Sequence, residues 1–491
     1  MIQATIAPGF RKVNAITEQT TSLALAMARN ESESCVVSLL AEETLEGVTL
    51  VCDGLPAGLS VSVEKEYFIE CDGVMWPDPI APVSSVTLTA GELCNLLVRF
   101  TADGKATAGT FPLTLTVKGA CGKALATFTV ELKVWNFALP EGCIIETAVG
   151  LNHEWLAKMH GVEGEELQAL YVAYYEYLLR YRISAYSLPY DVLDPRADRY
   201  MSDPRVTSFV LNSWADEETL KKYQEKIGSN PDWKKKATFY PLDEPYTMDH
   251  MRALIDRCTY LKKVCPDIRR VSPFFTNIHF DGDKDFIDTL IEQTDVLCPK
   301  LACYNDEFLN MREPELTQEK PSFFDRMAEA QKQGSMVWQY VCWEPRKPYA
   351  NVFVDESGLN HRIVFWQQHM MGARGFLYWS CTWWEHVSDP WTSMMTVPQL
   401  SQHVFGDGSL LYNGSKVGIN GPCGSVRLEA VRDGLEDCEM LRMAEETLGH
   451  DWVIAKVKEV TTDLTHYTED EAVFAAVRRQ VGDALEAALA K

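Results

Sequence analysis

Short runs of alternating apolar and polar side chains follow one another through the first 138 residues, and Gly, Pro and Asp interrupt them. Examples are residues 34–40, 48–52, 96–100 and 111–117. Alternation of this kind puts every second side chain on one face of a strand, and its regular recurrence predicts an antiparallel β-sandwich. The last such run ends near Val134, and Pro140 marks the end of a first domain over residues 1–138.

From residue 139 onward, short apolar runs alternate with longer runs in which apolar side chains recur every three to four residues. Strands are predicted over residues 146–150, 185–190, 207–211, 237–242, 270–275, 295–300, 336–341 and 376–380. Helices are predicted over residues 165–181, 216–227, 247–264, 285–293, 323–333, 359–371 and 426–448. Strands that alternate with helices in this way predict an α/β fold, a (β/α)8 barrel of TIM type over residues 139–449.

The second strand–helix unit of this predicted barrel is incomplete. Residues 191–204 are polar and contain two prolines, which argues against a regular helix there. An open, doubly wound sheet therefore remains an alternative to the barrel. Residues 450–491 show two amphipathic helical patterns, which we expect to pack on the barrel as a short C-terminal helical tail.

The composition indicates a folded and strongly acidic protein. Hydrophobic residues make up 46% and charged residues 24% of the chain, and the formal net charge is -24. Such a charge repels nucleic-acid phosphates and anionic lipid, so we expect neither nucleic acid nor membrane as a partner, and a neutral substrate fits better. The chain starts without a signal-like apolar run, and its 14 cysteines form no C-x-x-C pair, which predicts a cytoplasmic protein with reduced thiols.

The fourth predicted strand leads into two adjacent acidic residues, Asp243 and Glu244, within the run FYPLDEP at residues 239–245. Active sites of such barrels lie at the carboxyl ends of the strands. Two unpaired carboxylates side by side repel each other, which favours one of them as a general acid. The alternative is that the pair caps the following helix, with Pro245 in its first turn.

Aromatic and polar side chains recur at the other predicted strand ends, as in clefts that bind sugars, so we expect a small glycan or glycoconjugate as the substrate. The candidate substrate-binding residues are Asn152, His153, Tyr240, Asn277, Lys300, Trp338, Tyr340, Trp343, Glu344, Trp379 and Trp383. Trp338 and Tyr340 are two positions apart and share one face of their strand, either the barrel interior or the helix layer. Because the histidines lack zinc-site spacing and no glycine run fits a phosphate loop, we expect no metal and no cofactor.

The run FYPLDEP is similar to the catalytic motif of glycoside hydrolase family 123, whose members resemble β-N-acetylgalactosaminidases. Further matches in the same order extend the resemblance over residues 145–445. They are YEYLLRYR at 175–182, WQYVC at 338–342 with Pro348 and Tyr349, GFLYW at 375–379 with Trp383, SVRLE at 425–429 and RDGLED at 432–437. The N-terminal sandwich, with ARNE at 28–31, is similar to the domain that precedes this catalytic barrel.

The resemblance implies that Glu244 is the acid/base and that Asp243 orients the substrate's own 2-acetamido group, which attacks the anomeric carbon. The activity it implies is release of β-linked N-acetylgalactosamine, or a related N-acetylhexosamine, with retention. The residues alone leave open a conventional retaining glycosidase that acts on sugars without an acetamido group, with Glu244 as acid/base and Glu344 as nucleophile. A non-catalytic glycan-binding protein and an aromatic cluster that is simply core are further alternatives.

Overall fold

The computed structural model describes residues 2–400 and 402–491. Its N-terminal part consists of β-strands around an apolar core. The strands are β1 (Ile2–Pro8), β2 (Ser22–Arg29), β3 (Ser32–Ala41), β4 (Leu45–Asp53), β5 (Leu59–Cys71), β6 (Val74–Pro82), β7 (Val86–Leu88), β8 (Leu93–Ala102), β9 (Gly109–Lys118) and β10 (Ala124–Ala138).

These strands form two sheets. One sheet contains the order β1-β3-β8-β5-β6, and the other has the order β2-β10-β9-β4-β7. The expectation of a purely antiparallel sandwich is wrong at one place, because β10 pairs with β2 in parallel. The two strands are separated in sequence by the rest of the sandwich, so no tight turn forces them to be antiparallel, and alternation of side chains does not specify direction.

A second group of strands, all parallel, forms a nearly closed sheet. The group comprises β11 (Glu146–Val149), β12 (Phe209–Leu211), β13 (Ala237–Phe239) and β14 (Arg269–Phe274), and then, after a hairpin of β15 (His279–Asp281) and β16 (Lys284–Asp285), β17 (Val296–Pro299), β18 (Met336–Tyr340) and β19 (Gly375–Tyr378). Their order is β11-β19-β18-β17-β14-β13-β12. β11, the first strand of this group along the chain, pairs with β19, the last one. An open doubly wound sheet therefore does not fit.

The gap between β11 and β12 is bridged by the second predicted strand, which is reduced to a short extended segment. Ala185 forms a parallel bridge with Val149, and the N–H of Val210 donates to the carbonyl of Tyr186 at 2.8 Å. The other seven predicted strands are present, although the fourth ends at Phe239 rather than Leu242. Periodicity therefore located the strands well, and it overestimated their length where a proline follows.

Helices lie between the strands of this sheet and at the end of the chain. They are α1 (His153–His160), α2 (Gly164–Leu179), α3 (Asp198–Met201), α4 (Glu217–Gly228), α5 (Pro231–Lys236), α6 (Met248–Val264), α7 (Phe286–Gln293), α8 (Asp306–Leu309), α9 (Leu316–Glu319), α10 (Phe323–Lys332), α11 (Gly358–Met370), α12 (Val426–Leu448), α13 (His450–Val460) and α14 (Glu471–Leu489). The second unit holds only the short α3 after a 3-10 turn, as its two prolines predict.

The sandwich and the parallel sheet are joined by segments from the C-terminal part of the chain. After β19, two further strands, β20 (Tyr412–Asn413) and β21 (Pro422–Ser425), extend the first sandwich sheet, where β21 pairs with β6. At the other side, α14 packs on α12 and on β10, with the indole N–H of Trp135 donating to Asp483 at 2.7 Å. The C-terminal tail therefore contacts the sandwich as well as the helices of the barrel.

Helix α12 carries a buried ionic network across this junction. Arg427 pairs with Asp78 of β6 at 2.9 Å, and neither side chain is exposed. Asp437 accepts from Arg362 of α11 and Arg478 of α14, each at 2.6 Å. The motifs at 425–429 and 432–437 therefore build the junction rather than the catalytic cleft.

The interior of the parallel sheet is an apolar cluster below the strand ends. Trp338 and Tyr340 of β18 both belong to it, together with Ala148, Val271 and Leu377 from other strands. The shared face predicted for the two aromatic residues is therefore the barrel interior. Each of the 14 cysteines is free. Across the two described stretches of chain, every helix is too short or too polar to cross a membrane.

Candidate active site

Asp243 and Glu244 lie in the loop between β13 and α6. The N-cap of α6 is Thr247, whose side-chain oxygen accepts a hydrogen bond from the N–H of His250. The acidic pair therefore does not cap this helix. Its position at the carboxyl end of a parallel strand is the one where barrel enzymes place catalytic groups.

The backbone of Glu244 is left-handed, with a φ of 39°. Such a φ is uncommon for a residue other than glycine, and residues that adopt it cluster at functional sites. The carboxylate of Glu244 accepts a hydrogen bond from the hydroxyl of Tyr340 at the end of β18. Because β14 and β17 lie between β13 and β18, this hydrogen bond spans the mouth of the sheet. The side chain of Glu244 remains 33% exposed and so accessible to a substrate.

Asp243 is held by a different tyrosine. The hydroxyl of Tyr240 donates to Asp243 Oδ1 at 2.6 Å, and the ring of Tyr240 packs edge-on against Tyr186. Burial raises the pKa of Tyr240 and of Tyr340 well above the ordinary value, so both hydroxyls stay protonated donors. The sequence suggested two unpaired carboxylates, but each of them accepts a hydrogen bond from its own tyrosine.

Lys300 places a positive charge between two carboxylates. It directly follows β17, and its side chain is 4% exposed. Its Nζ lies 3.7 Å from Glu244 Oε1 and 3.5 Å from Glu344 Oε2. Burial alone would lower the pKa of Lys300, but Cys342 and the two carboxylates outweigh it, and the net shift is upward. The ammonium group therefore remains charged beside Glu244.

Aromatic rings surround this ammonium. Its Nζ lies 4.7 Å from the ring centroid of Phe275, 5.7 Å from that of Trp343, 5.9 Å from that of Phe308 and 6.0 Å from that of Tyr340. A cation within about 6 Å of an aromatic face is attracted by the ring quadrupole. Tyr340 and Trp343, which the sequence assigns to the sugar-binding wall, thus also fix the position of Lys300.

Trp379 and Trp383 form an aromatic pair after β19, with ring centroids 5.0 Å apart. Both are partly exposed, so this part of the aromatic cluster is not simply core. The indole N–H of Trp379 donates to the carboxylate of Asp407, 3.1 Å from each oxygen. Burial raises the pKa of Asp407 to about 7. Asp407 is not among the residues predicted from the sequence, although the glycines that flank it, at 406 and 408, are a signal of close packing against Arg427 and Trp379.

Other predicted binding residues make contacts within the protein. Asn152 caps α1 through two backbone N–H groups, and the exposed His153 stacks on Tyr171 with 3.8 Å between the ring centroids. Asn277 is fully buried, and its side-chain amide bonds to three neighbouring groups. Trp338 is also fully buried, two positions before Tyr340 along β18. Asn277 and Trp338 therefore present no surface to a ligand.

One cluster within the described chain has the composition of a metal site. It consists of His279, Glu313 and Glu315, whose possible ligand atoms lie within 4.8 Å of one another. Glu313 already accepts hydrogen bonds from the backbone and ring nitrogens of His279, at 2.6 and 2.5 Å. Because these groups bond to each other, the cluster gives no independent indication of a metal ion.

Carboxylates at the carboxyl ends of parallel strands, beside aromatic side chains, are typical of enzymes that hydrolyse glycosidic bonds. The comparison with known families agrees, because residues 204–444 match the model of the glycoside hydrolase 123 catalytic domain. Residues 204–444 thus form a catalytic domain of glycoside hydrolase family 123, and the chain is a glycosidase, which confirms the family resemblance and favours an enzyme over a non-catalytic binding protein.

A family 123 glycoside hydrolase from Clostridium perfringens, solved to study glycolipid glycan hydrolysis, matches 99% of this chain and 98% of its own. The TM-score is 0.71 and the sequence identity 12%, so this similarity establishes the fold alone. A FixG-related protein from Vibrio parahaemolyticus matches 27% of this chain and 95% of its own at 9% identity. Its TM-score of 0.17 is too low to indicate a shared fold. No curated protein sequence matches the chain.

Proposed function

We propose that this glycosidase releases β-linked N-acetylgalactosamine, or a related N-acetylhexosamine, from the glycan of a glycolipid or another glycoconjugate, with retention of configuration. The observation that carries the proposal is that the two adjacent carboxylates accept hydrogen bonds from different tyrosines, Glu244 from Tyr340 and Asp243 from Tyr240. Neighbouring carboxylates suit a mechanism in which neither has to attack the sugar from the face opposite the leaving group. The nucleophile is then the acetamido group of the substrate.

In the first step, Glu244 donates its proton to the glycosidic oxygen while the bond from that oxygen to C1 breaks. The acetamido oxygen forms a bond to C1 from the opposite face, and the leaving group departs as a neutral alcohol. Asp243 accepts the N–H of the resulting oxazolinium ion and stabilises its positive charge. In the second step, Glu244 takes a proton from water, and the water oxygen bonds to C1 while the bond from C1 to the acetamido oxygen breaks, which restores the acetamido group. Two inversions at C1 give net retention.

A conventional retaining mechanism, with Glu344 as nucleophile, is the second candidate. The contacts of Lys300 with both glutamates favour it, because they bring Glu344 to the same cleft as Glu244. The two distances to Nζ limit the separation of the contacting oxygens to about 7 Å, which includes the roughly 5 Å typical of retaining enzymes. In that case an acetamido group on the substrate would not be needed.

A panel of 4-nitrophenyl β-glycosides distinguishes the two mechanisms. We expect hydrolysis of the N-acetylgalactosaminide or N-acetylglucosaminide, none of the galactoside or glucoside, and inhibition by a thiazoline mimic of the cyclic intermediate. Glu244→Gln should lower kcat by about 10²- to 10⁴-fold, and Asp243→Asn should also lower it strongly. Glu154→Gln, which alters an exposed carboxylate after β11, is the matched control.

Two results would contradict the proposal. Cleavage of the galactoside or glucoside that is lost in Glu344→Gln would replace it with the conventional mechanism. Wild-type rates in both Glu244→Gln and Asp243→Asn would refute the site assignment itself.

We infer further that Ala185 and Tyr186 occupy the eighth strand position, so that the sheet is a (β/α)8 barrel with one reduced strand. Their backbone contacts to Val149 and Val210, on either side of the gap, support this assignment. Closure of the barrel at this point puts Ala185 and Tyr186 between β11 and β12, and it places Tyr186 against the ring of Tyr240.

A further inference from the structure

We propose that Lys300 is a positioning residue for Glu244: its ammonium holds the Glu244 carboxylate at the cleft and offsets the negative charge that forms there when the proton leaves. This inference rests on the proposed function, in which Glu244 is the acid/base. The sequence alone assigns Lys300 to a different role, that of a residue that binds the substrate directly.

The burial of Lys300 argues against direct binding of a sugar. Only 4% of its side chain is exposed, whereas Glu244 and Glu344 are 33% and 34% exposed. A substrate in the cleft therefore meets the carboxylates before it can reach the ammonium. The four surrounding aromatic rings restrict the long, flexible side chain to one position, which lowers the entropic cost of keeping it beside Glu244.

Backbone pairing couples Lys300 to the other group that holds Glu244. Lys300 and Tyr340 form a parallel β-bridge, and the N–H of Lys300 donates to the carbonyl of Phe274 at 2.9 Å. The Tyr340 hydroxyl and the Lys300 ammonium thus reach Glu244 from adjacent strands with a fixed register. The hydrogen bond and the positive charge act on the same oxygen, Oε1 of Glu244.

The charge of Lys300 matters most while Glu244 is losing its proton. A neutral carboxylic acid gains little from a nearby cation, whereas the carboxylate that it becomes gains much more. An interaction that strengthens as the bond breaks lowers the barrier rather than KM. Its effect should therefore depend on how much the leaving group needs a proton.

The test compares two aryl β-glycosides of N-acetylgalactosamine that differ only in the leaving group. 2,4-Dinitrophenolate departs without protonation, whereas 4-methoxyphenol requires it. In Lys300→Met we expect kcat to fall by about tenfold or more on the 4-methoxyphenyl substrate and by less than about threefold on the dinitrophenyl substrate, with little change in either KM. Lys300→Arg, which keeps the charge, should restore part of the loss.

Controls separate this role from a structural one. Lys284→Met removes a surface lysine paired with Glu292 and should leave both rates at the wild-type level. Circular dichroism and thermal unfolding check that each variant folds, and Lys300→Gln supplies a second uncharged variant if Lys300→Met does not.

Equal losses of kcat on the two substrates would overturn the inference in favour of a structural role. A rise in KM on both substrates, with kcat unchanged, would overturn it in favour of hydroxyl binding. Wild-type rates on both would show that the charge has no function. Failure of the wild-type enzyme to cleave either N-acetylgalactosaminide would instead refute the proposed substrate class, which is a distinguishable result.

Discussion

Replacement of Arg427 by Met tests whether buried charge holds the sandwich to the barrel. The guanidinium donates to both carboxylate oxygens of Asp78, through Nε and Nη2 at 2.9 Å each, and through Nη1 to the carbonyl of Gly406 at 2.7 Å. Neither charged side chain is exposed to solvent. Methionine fills a similar volume and removes these donors together.

The expected cost follows from what the substitution leaves behind. Asp78 would keep the hydroxyl of Tyr412 as a donor and the nearby charge of Lys12, but it would lose its paired counter-ion in a fully buried site. Breaking a buried pair by removal of one partner costs about 3–5 kcal/mol in the free energy of unfolding. Burial alone would raise the pKa of Asp78, and Arg427 reverses this, so that the pKa lies below the ordinary value.

This pKa shift gives the expected destabilisation a direction with pH. In the wild type, a depressed folded-state pKa contributes stability that is present above the unfolded-state value and is lost as pH falls. In Arg427→Met, the buried Asp78 is better tolerated when it is protonated. The difference in stability between wild type and variant should therefore shrink as pH falls from about 7 to about 4.

Equilibrium urea unfolding, followed by tryptophan fluorescence at several pH values, measures this difference. The double variant Asp78→Leu with Arg427→Met should regain most of the lost stability, because a hydrophobic pair needs no counter-ion. Lys222→Met, which breaks an exposed pair with Glu218, is the control and should cost less than about 1 kcal/mol. A loss below about 1 kcal/mol in Arg427→Met would refute the reasoning, because the network would then contribute no more than surface pairs.

Two smaller changes test the site. Tyr340→Phe removes the hydroxyl that donates to Glu244, so kcat should fall about tenfold with KM unchanged; an unchanged kcat would contradict the assigned contact. Burial raises the pKa of Asp407 to about 7, so the folded state disfavours its charged form and the wild type should lose unfolding free energy as pH rises from about 4 to about 7. Asp407→Asn should reduce this loss. Urea unfolding across this range measures the effect, and an unchanged pH dependence would exclude it.

Periodicity along the chain was sufficient to predict most elements of the fold. The helix predicted over residues 426–448 is α12 with the same limits, and the strand predicted over 336–341 is β18 within one residue. These elements are long or strongly apolar, and side-chain spacing reports directly on which face is buried. The same spacing also placed the acidic pair after the fourth strand, and that placement underlies the proposed active site.

Features that depend on distant contacts could not be read from spacing. The strands β20 and β21 are two and four residues long, too short for an alternating pattern, and they form because the edge of β6 is available. Asp407 lies in a loop, and its importance comes from the indole of Trp379, 28 positions earlier in the chain. Local sequence contains the residues of such contacts but not their proximity.

The contacts of Glu244 show how far a local pattern determines the chemistry of a site. The sequence placed Tyr340 and Trp338 on one face but left open which face it was, and it placed Lys300 only at a strand end. Closure of the sheet puts Tyr340 inward, and the register of β17 and β18 then sets Lys300 beside it. The same ammonium also contacts Glu344, so the two glutamates share one counter-ion and substitutions at either one change the electrostatics of the other. A loss of activity in Glu344→Gln alone would therefore not identify a nucleophile, and the dependence on the acetamido group has to decide between the mechanisms.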